Sequence, residues 1–176
     1  MRYKPIILLA LCLAAFTISV DVTIVNVALP TLVRQLGATT TDLQWIVDAY
    51  SLAFAALVLA AGSLSDRFGR KGALLIGLLL FAAASLAGAF SVTTGELIAA
   101  RAAMGVGAAL MFPATLSLLV NVFTERGERA LAIGLWGATT GVGIAAGPIV
   151  GGWLLERFWW GSIFCFLGTR RGSGRR

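Results

Sequence analysis

Histidine is absent from this sequence, and cysteine occurs only twice, at Cys12 and Cys165. Without histidine the commonest general base and metal ligand is missing, and no Ser–His–Asp arrangement can be built. Two cysteines so far apart, each inside or beside an apolar run, offer neither metal-ligand spacing nor a disulfide framework. No metal site, cofactor or catalytic constellation is expected, and the chain does not read as an enzyme. Charge is scarce as well. Only 12% of the 176 residues are Asp, Glu, Lys or Arg, about half the share in a soluble domain.

What fills the space is apolar. Hydrophobic residues make up 59% of the chain, and the mean hydropathy is +0.91. This composition belongs to an integral membrane protein, whose first partner is lipid. The formal net charge of +6 would point to nucleic acid in a soluble protein. Here the basic residues flank apolar runs, so the positive-inside bias accounts for them and no nucleic-acid partner is expected.

Gly62–Lys71, GSLSDRFGRK, orders the rest. It is an island of charge between two runs that each approach the ~20 residues needed to cross a hydrocarbon core. Three of its four charges are positive, as in a cytoplasmic hairpin. With this loop inside, the patterning predicts membrane helices near 6–29, 43–64, 72–92, 97–122 and 130–155. The first is expected to end at Pro30 and to be followed by a polar outer linker over 31–42. The start, MRYKPIILLALCLAAF, has the basic and apolar regions of a signal peptide but no small-x-small cleavage site, so a retained first span is expected. The third span carries no charge and is expected to face lipid. The N-terminus and the two inner loops hold seven Lys or Arg and the outer segments two, Arg34 and Arg157. The N-terminus is therefore placed in the cytoplasm of a multi-pass protein of the cell (inner) membrane.

Three charges lie within the apolar spans: Asp21, Asp48 and Arg101. Each costs roughly 2.5–3.5 kcal/mol at a helix centre on insertion scales, so each needs a partner or water. At about 1.5 Å per residue all three fall in the outer half of the membrane. An acid–Arg pair is expected there, either functional or serving only to orient helices. Trp45 and Tyr50, beside Asp48, could hold an apolar cation by stacking. Along the first span Thr17 and Asp21 share a face, while Ser19, Thr23 and Asn26 cluster nearly opposite. Gly143, Gly147 and Gly151 recur every fourth residue, a flat ridge suited to close helix approach. Pro148 within that ridge is expected to bend the fifth helix. Plain close packing explains the ridge as well as a moving part does. Gly105-Val-Gly107-Ala-Ala matches a nucleotide-binding pattern, but it lies in a membrane run with no preceding strand and is set aside.

Together these stretches resemble the major facilitator superfamily, in its fourteen-span drug:proton antiporter branch. DVTIVNVALP (Asp21–Pro30) is similar to that branch's first-helix motif, and GSLSDRFGRK to the loop motif between helices 2 and 3. LIAARAAMGVGAAL (Leu97–Leu110) resembles the fourth-helix motif and GVGIAAGPIVGG (Gly141–Gly152) the fifth-helix motif of antiporters. The likeness runs from about Pro5 to Phe164. It implies an all-α bundle of the major-facilitator N-terminal type over 1–164, with five complete spans and an aborted sixth. It also implies proton-coupled export of a small molecule, a lipophilic cation foremost. Candidate proton- or substrate-binding residues are Asp21, Asp48, Arg101, Asn26, Trp45 and Tyr50. Gly62, Asp66, Arg67, Gly69 and Arg70 would form an inner gate, and Gly143, Gly147, Pro148 and Gly151 the pivot.

The pattern breaks after Phe164. GSIFCFLG is too short to cross a bilayer, and TRRGSGRR then places four arginines on the outer side. Residues 165–176 are expected to be an aberrant basic tail, truncated or out of frame. Two classes of function stay open: a transporter or part of one, for this or another metabolite, and a non-transporting membrane fragment such as a pseudogene product or interaction partner. Self-association through the glycine ridge is compatible with either.

Overall fold

A computed structural model describes residues 3–158 and 160–164. Its first helix, α1, runs Lys4–Leu36, with Pro30 inside it. The end expected at Pro30 does not occur, and the helix continues through it. Proline removes one backbone hydrogen bond, but Ala28 and Leu32 on either side of it are completely buried. Packing outweighs the lost bond, as it does at prolines in other membrane helices. The helix stops six residues later at Gly37, whose φ of 64° is the left-handed cap that glycine adopts readily. The polar outer linker thus shrinks to residues 37–39.

α2 follows at Thr40–Phe68. Thr39 and Asp42 form a reciprocal capping box that fixes its start. α3 is Arg70–Ala89, α4 Thr94–Val122 and α5 Arg126–Arg157. Thr93 caps α4 by accepting from the Glu96 N–H. Gly69, at φ 101°, makes the sharp turn between α2 and α3. Each helix overshoots its expected bounds at one end or both, because hydropathy sees only the apolar centre. At about 1.5 Å per residue, the 33 residues of α1 reach well past a core of about 30 Å. All five helices are long and apolar enough to span a membrane.

The helices assort into two groups. α1 packs along α5, and α4 packs along both α2 and α3. α1 and α4 then meet at the centre, where Ile24, Val25, Met104, Ala108 and Met111 are buried in one core. The expectation that the uncharged α3 faces lipid holds for one side of the helix only. Leu75, Ile76, Leu79 and Leu86 are exposed, but Gly77, Phe81, Ala84, Ser85 and Gly88 are buried. A Cβ at Gly77 would stand 2.8 Å from the Gly107 carbonyl, and one at Gly107 would stand 2.8 Å from the Phe81 nitrogen. The small pair Gly77/Gly107 lets α3 and α4 touch backbone to backbone, as small residues do in membrane bundles. The G-x-G pattern in α4 is therefore a packing seam.

After α5 a 3-10 turn, Trp160–Ile163, tucks Trp160 and Phe164 into the core. The Ser85 hydroxyl donates to the Phe164 carbonyl at 2.6 Å. The basic tail at 165–176 lies outside the described residues, and with it the expected aberrant segment.

Candidate functional site

Three helices converge on Arg101. Its side chain is 1% exposed, and three contacts hold it. Nη1 donates to Asp21 Oδ2 of α1 at 2.7 Å, and Nε donates to the Ile46 carbonyl of α2 at 3.2 Å. The guanidinium carbon stands 4.4 Å from the centroid of the Tyr50 ring. One cation thus carries a salt bridge, a backbone hydrogen bond and a cation–π contact. That combination offsets the cost of burying it, since a buried charge must be paired and hydrogen-bonded.

The local sequence makes this convergence possible. A Cβ at Gly105, one turn beyond Arg101, would collide with the Tyr50 carbonyl and stand 3.0 Å from Ala53 Cβ. Glycine there brings α4 close enough for Arg101 to reach the Ile46 backbone. Asp21 and Arg101 are thereby joined across 80 positions.

Asp48 is not part of this cluster. It lies two residues from both Ile46 and Tyr50, about 200° around the helix, and its side chain is exposed. Trp45, 51% exposed, shares that outer side of α2, whereas Tyr50 is buried beneath Arg101. The expectation that Trp45 and Tyr50 flank Asp48 together is corrected by this geometry: the odd spacing sends them to different sides. Asn26 is exposed on α1 and stands apart from Asp21 as well.

The inner-loop residues gather at the turn between α2 and α3. Arg70 Nε pairs with Asp66 Oδ1 at 2.8 Å, one turn away, and Arg67 is exposed beside them. Gly62 faces Pro113 of α4, where a Cβ would make ordinary contact at 3.8 Å. At the other seam Gly143, Gly147 and Gly151 are all buried on α1, and Pro148 is exposed. A Cβ at Gly147 would collide with the Thr23 hydroxyl, one at Gly143 would stand 2.9 Å from Ser19 Cβ, and one at Gly151 2.8 Å from Ile24 Cγ1. The ridge is spent on α1, so it is not free for a second copy of the chain.

Sequence reasoning missed two features. Lys4 pairs with Glu128 at 2.5 Å and ties the start of α1 to the start of α5. Their separation of 124 positions left no local signal. The other is the Ile46 carbonyl, since no side chain marks a backbone acceptor.

The family model for the Major Facilitator Superfamily matches residues 11–169. The chain belongs to that superfamily. It is 46% identical over 157 residues to the methyl viologen resistance protein SmvA of Salmonella typhimurium, covering 89% of this chain and 32% of the relative. It shares 46% identity with the multidrug efflux pump LfrA of Mycolicibacterium smegmatis, over 89% of this chain and 31% of that one. With the methylenomycin A resistance protein of Streptomyces coelicolor it shares 47% over 83% of its length and 31% of the relative's. The chain spans about a third of the length of these relatives. Among solved structures, a bacterial homolog of the human lysosomal transporter Spinster, inward-facing and unoccupied, superposes with a TM-score of 0.74 at 19% identity. That match covers 94% of this chain and 40% of the other, and it shows a shared fold.

Proposed function

We propose that this bundle is the N-terminal part of a proton-coupled drug exporter, and that the Asp21–Arg101 pair couples proton binding to movement. It acts as a carrier, with no chemical step. The observation that supports this most is where the pair sits. The α1/α5 group and the α2/α3/α4 group meet chiefly along α1 and α4, and Asp21–Arg101 is a buried ion pair across that meeting. With Asp21 ionised, the two groups are held by a short charge pair in a medium of low dielectric. A proton on Asp21 cancels that attraction, and the guanidinium keeps its hold on Ile46 and Tyr50 of α2. The groups can then shift against each other with α1 and α5 moving as one, since their glycine seam leaves no slack.

The relatives' names support a drug as cargo, and methyl viologen resistance in particular supports an aromatic cation. The Lys/Arg bias supports an N-terminus in the cytoplasm of the inner membrane. Asp48 and Trp45, on the exposed side of α2, are the second pair we assign to substrate. In this reading Asp66, Arg67 and Arg70 close the inner side, and the Gly143–Gly151 seam keeps α5 locked on α1 instead of serving as the pivot.

The reading is tested by a graft. Residues 11–164 replace the matching segment of the methyl viologen resistance protein, and export of ethidium is followed in membrane vesicles. Export should collapse with the proton gradient, and Asp21→Asn should abolish it. Full export by Asp21→Asn, or export indifferent to the gradient, overturns the reading.

A further inference from the structure

The start of α1, the end of α4 and the start of α5 enclose a cleft of about 230 Å³. Pro5, Leu8, Phe123, Leu131 and Ala132 line it, and Lys4 and Glu128 are the two charged members of the lining. Phe123 and Ala132 are buried at its floor, while Leu131 is exposed at its rim. Leu135, one turn further along the same face of α5, is exposed too. Lys4 and Glu128 stand in the first turns of two helices long enough to span a membrane. The cleft therefore lies at the level of lipid headgroups, whichever side of the bilayer it faces.

Its two charges are paired but not used up. The Lys4 side chain is 22% exposed and that of Glu128 49%. An ammonium has three donors, and among the described residues only Glu128 accepts from Lys4, through Oε2. The Phe123 ring centroid stands 5.8 Å from Nζ and covers one side of it. Nothing described donates to Glu128 Oε1. Arg129, the next cation on α5, is taken up by the carbonyls of Phe123 and Thr124 at 2.9 and 3.4 Å. The lining thus sets one cation beside one anion, each with hydrogen-bonding capacity left. A purely anionic headgroup would meet the Glu128 carboxylate, and a quaternary ammonium has no N–H to offer it. A phosphate next to a primary ammonium matches both: the phosphate accepts from Lys4, and the ammonium donates to Glu128.

We propose that this cleft seats the phosphoethanolamine headgroup of a membrane lipid, with an acyl chain against Leu131 and Leu135. The site stands whether or not the bundle exports a drug. A headgroup bound there holds the ends of three helices, so its binding is read in stability as well as in mass.

The test is native mass spectrometry of the purified 176-residue chain in detergent micelles. The micelles carry equal amounts of dioleoyl phosphatidylethanolamine, phosphatidylcholine and phosphatidylglycerol. Retained phosphatidylethanolamine is expected, favoured about tenfold over either competitor. Glu128→Gln keeps the outline of the side chain and removes its charge, and should bring phosphatidylethanolamine down to the level of phosphatidylcholine. Lys4→Met should lower retention of both, and Lys4→Arg should keep it. Leu79→Ala, on the outer face of α3, should change nothing. Thermal unfolding of the unaltered chain needs no variant: added phosphatidylethanolamine should raise the midpoint, and phosphatidylcholine should not. Equal retention of the three lipids, a preference for phosphatidylglycerol, or a preference that survives Glu128→Gln overturns the proposal. So does a midpoint that the two zwitterionic lipids raise equally.

Discussion

Arg101 shows how far a single residue's chemistry can be read in advance. Length alone places it at the depth of Asp21 and Asp48, and the insertion cost says it must pair with an acid. Which acid it takes depends on the angle of α2 about its own axis, and that angle is set by packing at Ile46, Tyr50 and Gly105. None of these residues is charged, so the choice of Asp21 over Asp48 was not legible. The energetic consequence is testable. Arg101→Ala leaves Asp21 charged and buried, and Asp21→Asn leaves Arg101 so. Each should cost about 3–5 kcal/mol in reversible unfolding of the detergent-solubilised chain. The double variant Asp21→Leu/Arg101→Met, which removes both charges, should lie well above either single change in stability. If the two single losses simply add in the double variant, the pair is not coupled. Asp48 is exposed, and Asp48→Asn should change unfolding by less than about 0.5 kcal/mol. In the graft it should lower export of cationic drugs more than of neutral ones.

Among the elements, the helices were legible in number and order because long apolar runs divided by basic loops allow few other readings. Their ends were not, since hydropathy falls away at the membrane surface while backbone hydrogen bonding continues through polar turns. Pro30 is the clearest case: its local preference to stop a helix yields to the buried residues on either side. The glycine ridge of α5 was visible as spacing, but its partner was not. The identity of α1 as that partner comes from Phe16, Ser19, Thr23 and Ile24 facing it at van der Waals distance or closer. Substitutions along α5 should therefore divide by face. Gly147→Ala places a methyl against Thr23 and the Val20 carbonyl, 3.0 Å away, and should destabilise the bundle by about 1–3 kcal/mol. Gly141→Ala meets nothing within 4 Å and should stabilise α5 by up to about 1 kcal/mol through helix propensity. Thermal unfolding of the two variants separates them. Equal effects of one sign would mean that α5 does not lie on α1 through this face.

For the whole molecule, the basic loops support the direction across the membrane that we propose. The ends that carry Lys4, Glu128, the Asp66–Arg70 pair and the α4–α5 connection all lie on one side. Lys4 and Glu128 pair there, and Arg129 donates through Nε to the Phe123 carbonyl at the end of α4. The opposite side has the short connection over 37–39, capped by Thr39 and Asp42, and the turn held by Thr93 and Glu96. Lys and Arg are retained on the cytoplasmic face of a bilayer, and on that bias we propose the first side as the cytoplasmic one. Cysteine labelling from outside intact cells tests this, with Cys12 and Cys165 replaced by serine. A cysteine at Thr40, at the N-terminal start of α2, should react with a membrane-impermeant maleimide. One at Arg70, 30 residues on and across the full length of the same helix, should react only after the cells are opened. Because α2 runs unbroken from Thr40 to Phe68, the two sites cannot lie on the same side if the helix spans. Reaction of Arg70 alone would invert the bundle and place the Asp21–Arg101 pair nearer the cytoplasm. Equal reaction of both in intact cells would mean that α2 does not cross the membrane.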